Sequence, residues 1–205
     1  MKLWLGSLLS LCITAAGLFA LAAGTHGYSV WTEEGQRRWQ ALHHPTPLPQ
    51  MEWRNQNYAA RSLAGLNKSI VVLDFVYTRC PTVCQLMGYQ FGRLQALLKE
   101  KQLQDSVQLV SMSFDADHDT PAMMAEYLAR YRADTAHWEG GIIEDKTRLL
   151  DLLDHLGVVV LPDDQGGFVH NAAFYLVYEG SLISIYDRDQ VAQIIEAIER
   201  LRGVF

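Results

Sequence analysis

The sequence predicts an α/β fold, a central mixed sheet flanked by helices, carried behind an N-terminal transmembrane helix. Three observations lead to it. Two nearly unbroken β-branched and aromatic runs, "SIVVLDFVY" (69–77) and "SVQLVSMSF" (106–114), are each followed by a segment of helical period, as expected for strands buried on both faces. Two further strands joined at Glu179-Gly180 precede a last amphipathic segment. The N-terminus has one early cation, Lys2, and then no charge until Glu33.

In chain order, Leu3 to Gly24 is apolar or small throughout, long enough for a helix to cross about 30 Å of hydrocarbon. A cleaved signal would use a small-residue site such as Ala20-Leu21-Ala22; the length of the run fits an uncleaved anchor better. Cys12 follows Leu11 inside this run, which is a poor lipoprotein site, and reads as a passive apolar residue. Lys2 inside and Glu33-Glu34 outside put the remaining chain on the non-cytoplasmic, periplasmic face, whether the segment anchors it or is cleaved. "YSVWTEEGQRRWQALHH" (28–44) can form a short helix, and the proline-broken "HPTPLP" is an extended connector. The expected division is 1–25 anchor or signal, 26–46 connector and 47–205 folded domain.

Within that domain, "LPQMEW" and the segment to Leu63 suggest a short strand or hairpin. After the first buried run, Met87, Phe91, Leu94 and Leu97-Leu98 fall at helical spacing. After the second, Asp119 or Thr120 as N-cap with Pro121 just inside opens another helix. "GGIIED" reads as a short strand, Asp145 to Gly157 as an amphipathic helix ended by glycine, and Asp189 to Arg202 as the last helix. The order β-α-β-α-(β)-α-β-β-α is the pattern of a thioredoxin-like domain. The 205 residues are 49% hydrophobic and 20% charged with net charge −6, an ordinary globular balance. No basic cluster is present, so no nucleic-acid surface is expected.

The chemistry centres on "FVYTRCPTVCQLMG", where Cys80 and Cys84 follow the first buried strand, Cys84 at about the helix start. Strand C-termini are where ligands bind in open α/β sheets, and a helix N-terminus favours thiolate, so one or both thiol pKa values should fall. A structural disulfide is the plainest alternative in an exported chain, weakened by a loop too short to restrain the unfolded state much. Position alone does not choose between redox exchange and metal binding. Of seven histidines, His118 lies at the end of the second buried strand and His170 heads "HNAAFYLVY" after the flexible "PDDQGG"; neither stands out singly. Met87, Met112, Met123 and Met124 are more simply core than thioether ligands. Arg79 beside Cys80 is only a faint hint of a peroxidatic cysteine.

"VLDFVYTRCPTVCQ", "VSMSFDADHDTP" and "FVHNAAFYLVYEG" resemble, in order and spacing, the three signature blocks of the Sco/SenC family, over roughly Pro47 to the C-terminus. Members are membrane-anchored, thioredoxin-fold copper proteins that help assemble the copper centre of cytochrome c oxidase. The resemblance implies that Cys80, Cys84 and His170 bind copper and that Asp115 and Asp119 belong to the middle block. Two thiolates and an imidazole suit Cu(I), with Cu(II) in a tetragonal arrangement; a structural zinc site would want a fourth ligand. The implied partner is the copper-accepting subunit of cytochrome c oxidase or another copper protein. Thr82 and Gln85 stand where family members carry Asp and Pro, which leaves room for a second reading. In it, Cys80 and Cys84 cycle as the dithiol of a thiol–disulfide oxidoreductase acting on an oxidase subunit or other copper protein. The loop before His170 is expected to let the imidazole swing in and out.

Overall fold

The computed structural model of the chain describes residues 2–28, 30–66, 68–80, 83–164 and 166–203. It divides into two compact units, 1–40 and 41–205. In the first, α1 (Lys2–Gly24) leaves Trp4, Leu11, Ile13 and Phe19 exposed. Its Gly6–Gly24 portion has mean hydropathy 1.9 with none of it buried, and an apolar helix with no protein around it is a candidate membrane span or signal segment. The next helix, α2 (Glu33–His43), starts later than the sequence suggests. Thr32 Oγ1 accepts the Gly35 amide at 3.0 Å, which fixes the helix start there.

Among the described residues the second unit holds ten strands, β1 (Thr46–Pro47), β2 (Glu52–Asn55), β3 (Ala60–Ser62), β4 (Ile70–Val76), β5 (Val107–Ser113), β6 (Trp138–Ile142), β7 (Val160–Pro162), β8 (Phe168–His170), β9 (Ala173–Tyr178) and β10 (Ser181–Asp187). Eight of them form one sheet in the order β1-β10-β9-β4-β5-β6-β2-β3. β4, β5 and β6 are parallel and the remaining pairs antiparallel. The mixed sheet is thus as expected. Proline survives in β1 because that strand is an edge, paired only through Thr46 and Pro47 to Leu182 and Ser181.

β4, β5 and β6 are buried along their whole length, so both faces are covered. The helices of the unit are α3 (Val83–Glu100), which packs on β4, α4 (Pro121–Arg130), which packs on β6, α5 (Lys146–Leu156), and α6 (Val191–Arg202), which packs on β10 and α3. Thr120 caps α4 by accepting the Met123 amide, Asp145 caps α5, and Gly157 ends α5 at φ +63°. β6 starts at Trp138, earlier than "GGIIED", and its two glycines are places of close approach. A Cβ on Gly141 would stand 2.7 Å from Trp53 Cδ1, and one on Gly140 3.0 Å from Met124. Met87, Met112 and Met124 are fully buried filler.

One expected element differs. His170 does not head β9. It ends β8, which pairs with β7 as a separate antiparallel hairpin. Asn171 breaks the run: its side chain donates to Gly157 O at 2.9 Å and accepts the Val159 amide at 2.7 Å.

Candidate metal centre

Because β4 and β5 are parallel, their C-terminal ends open on the same edge of the sheet, and the residues beyond them meet. Asp119, buried, holds the turn after β4: it accepts the Thr78 amide at 3.0 Å, the Thr78 hydroxyl at 2.5 Å and the Ser113 hydroxyl at 2.7 Å. Asp115, also buried, accepts from Arg79 Nη2 at 2.7 Å and faces His118 Nδ1 at 2.9 Å. Burial acts to raise the Asp115 pKa, but hydrogen bonds and charge from Arg79 and His118 outweigh it and hold the carboxyl low. Two buried aspartates therefore fix the strand-to-helix loop that carries the cysteines, and Arg79 and His118 are engaged with one of them.

Cys80 closes a turn by donating its amide to Tyr77 O at 3.2 Å. Cys84, the second residue of α3, donates its own amide to Cys80 Sγ at 3.2 Å, the use of a free helix N–H that the sequence position suggests. Both cysteines are buried thiols, not joined in a disulfide. Across the site, His170 Nε2 lies 3.7 Å from Cys84 Sγ, from 86 residues away in the chain. Among the described residues no three His, Cys, Asp or Glu side chains converge at metal-holding distance. The three expected donors are linked through Cys84, its thiol facing His170 and its backbone amide meeting Cys80 Sγ. Thr82, inside the motif, lies outside the described residues, and Gln85 is exposed.

The expected fall in thiol pKa is overturned at Cys84. Burial pushes its thiol well up, and the charges of Cys80 and Asp74 add to the rise. Only 2% of the residue is exposed, and desolvation of a thiolate at that depth exceeds what one helix terminus returns. Burial also lowers the His170 pKa, which keeps the imidazole neutral. A backbone hydrogen bond at Asn171 works against that shift without reversing it, and Nε2 faces the thiol. A neutral imidazole aimed this way beside two thiols fits a soft metal ion.

On either side of Gln165, the described residues of the segment before His170 are held by hydrogen bonds. Asp163 closes the β7–β8 turn by donating its amide to Gly167 O at 3.0 Å and accepting the Gly167 amide at 2.7 Å, with Gly166 at φ +78°. The Tyr77 hydroxyl accepts the Phe168 amide at 3.2 Å, and the Tyr77, Phe114 and Phe168 rings pack together. Phe114 also meets the His170 ring edge-on at 5.0 Å. The imidazole is thus positioned by a hairpin tied to β4. Sequence patterns pass over Tyr77 and over Asp74, although a lone acid inside "VVLDFVY" is a visible signal. Asp74 is fully buried in the middle of β4. Burial raises its pKa to about 7, only partly offset by the Ser111 hydroxyl opposite it on β5.

A model of the SCO1/SenC family matches residues 49–203. Among solved structures, the chain is similar to a SCO1/SenC family lipoprotein from Bacillus anthracis str. Ames, with 26% identity, TM-score 0.72, 78% of this chain and 99% of that one covered. It is similar in fold to BsSco, a member of the Sco family of cytochrome c oxidase assembly proteins with a disulfide switch, at 23% identity and TM-score 0.67, over 77% and 95%. It is similar in fold to copper-bound ScoI of Bradyrhizobium japonicum, at 22% identity and TM-score 0.63, over 76% and 99%.

Proposed function

The chain belongs to the SCO1/SenC family, and from that premise we propose that it is a copper-binding assembly protein for cytochrome c oxidase. One copper ion is its cargo, held by the Cys80 and Cys84 thiolates and the His170 imidazole. In this reading residues 1–25 anchor the chain, 26–46 connect, and 47–205 work on the periplasmic face. Copper passes by ligand exchange to the copper-accepting subunit of the oxidase or another copper protein, without chemical turnover.

The observation that carries the proposal is the approach of His170 Nε2 to Cys84 Sγ at 3.7 Å, with Cys80 Sγ against the Cys84 amide. The like-folded ScoI holds copper, and BsSco is described as belonging to oxidase assembly proteins. Cys84 is protonated before loading, so copper binding releases its proton. Titration of the reduced chain with Cu(I) and with Cu(II) tests this. One equivalent with thiolate-to-copper charge-transfer absorption is expected for Cu(II), and loss of tight binding in His170→Ala and Cys84→Ser. Absence of stoichiometric binding in the parent chain would overturn it.

Asp74 favours a second reading, thiol–disulfide oxidoreduction. A high-pKa thiol attacks only after losing its proton, and Asp74 is a buried carboxyl within electrostatic reach of Cys84. His170→Ala separates the readings, since it abolishes copper binding and spares dithiol exchange.

A further inference from the structure

The groove between α3 and the C-terminal end of α4 has an unusual lining. It encloses about 560 Å³, and Arg93, Arg130 and Arg132 line it with no carboxylate among the lining residues. Among the described residues none of the three is ion-paired, in a chain of net charge −6. Gly88 and Gly92 of α3 are part of its lining. The Tyr131 ring lies so near Gly88 that a Cβ there would stand 2.3 Å from Cε2. That ring is fixed against Tyr127 and Trp138, and its hydroxyl is buried within the field of Arg130.

A second observation concerns the backbone. Arg132 has φ +54°. It follows α4 where its amide bonds Ala129 O and the Ala133 amide bonds Leu128 O, both at 3.1 Å, a helix ending that ordinarily takes glycine. A non-glycine residue held there costs stability, and such outliers gather at functional sites. Gln95 braces this corner, donating to Arg132 O at 3.3 Å and accepting the Asp134 amide at 2.7 Å.

We propose that this groove docks an acidic segment of a protein partner, gripped by Arg93, Arg130 and Arg132 while the partner's reactive groups meet Cys80 and Cys84. The arginines are exposed, and one exposed ion pair is worth little. A single small anion is therefore held weakly, whereas a run of carboxylates engages all three. The groove and Cys84 share α3. From Cys84 to Arg93 is nine residues, two and a half turns and about 13 Å along the helix, so a docked segment crosses from the buried end of α3 to its exposed face. Against an otherwise acidic chain, the patch also steers acidic partners to this side. The purpose of docking rests on the reading of Cys80 and Cys84 as the working thiols; binding in the groove does not.

The test is fluorescence anisotropy of a fluorescein-labelled hexaglutamate peptide with the full chain in nonionic detergent, free of copper. Combined substitution Arg93→Gln, Arg130→Gln and Arg132→Gly should weaken binding about tenfold or more, as should raising salt to about 0.5 M. Arg200→Gln on α6 should leave it unchanged. Arg132→Gly alone should weaken binding while holding or raising the melting temperature, because glycine relieves the backbone. Equal peptide binding by the triple variant overturns the proposal. Displacement by inorganic phosphate at matched charge concentration also overturns it, in favour of a simple anion site. Copper titration of the same triple variant should match the parent, so failure of the groove and failure of the copper site are read separately.

Discussion

Asp74→Asn isolates the cost of burying one carboxyl. Asp74 has no exposed surface, and burial raises its pKa from 3.8 to about 7. Below about pH 4 the group is protonated in both the folded and the unfolded chain, and its charge costs nothing. Between there and about pH 7 the unfolded chain ionises while the folded chain keeps its proton, so stability falls as pH rises. Above that both are ionised and the penalty is constant. At about 1.4 kcal/mol per pKa unit, a rise of about three units costs on the order of 4 kcal/mol. The carboxamide that replaces the acid never ionises. It adds a buried N–H₂ whose cost is the same at every pH, so the informative quantity is the variant-minus-parent difference in unfolding free energy. Urea unfolding in nonionic detergent, followed by tryptophan fluorescence, should show that difference climbing by several kcal/mol from pH 4 to 8. A flat difference would mean that Asp74 ionises in the fold as easily as in water, and it would remove the support Asp74 lends to proton handling at Cys84.

Tyr77→Phe removes the hydroxyl that bonds the Phe168 backbone at 3.2 and 3.4 Å. It should cost about 1 kcal/mol of stability and, by loosening the hairpin that carries His170, weaken copper binding about tenfold; unchanged affinity would mean the hairpin does not position the imidazole. Gly88→Ala puts a Cβ 2.3 Å from the Tyr131 ring and should destabilise by about 1–3 kcal/mol. Gly92→Ala, whose nearest neighbour is 3.5 Å away, should be neutral or mildly stabilising by helix propensity, and matching melting temperatures for the two would refute the close approach of α3 and α4.

The strands and helices are legible in the sequence where one force dominates. The all-apolar runs of β4 and β5 announce burial on both faces, and Thr120-Pro121 and Asp145…Gly157 announce their helices by capping chemistry. β6 is only half visible because Gly140 and Gly141 carry no side chains to show a pattern; they are glycines because Met124, Trp53 and Met112 occupy the space. The β7–β8 hairpin is not visible, since Val160–Pro162 is too short for a period and Asn171 ends the strand through long-range hydrogen bonds. His170 emerges only through the resemblance of its block. Nothing in its local sequence predicts that Nε2 will face Cys84.

The thiol chemistry shows why position in a motif does not give a pKa. A cysteine at a helix start reads as an activated thiolate, and the free amides are indeed there, one of them donating to Cys80 Sγ. Yet Cys84 sits under Tyr127, whose hydroxyl reaches its carbonyl at 3.5 Å, and within the field of Asp74, so desolvation and like charge outweigh the helix terminus. A buried protonated thiol is a poor nucleophile at rest and a good soft ligand once a metal displaces its proton. The same burial that suppresses the thiolate also keeps His170 neutral. Depth in the fold therefore suppresses the resting thiolate that electron exchange needs, whereas a metal ion that displaces the proton meets no such requirement.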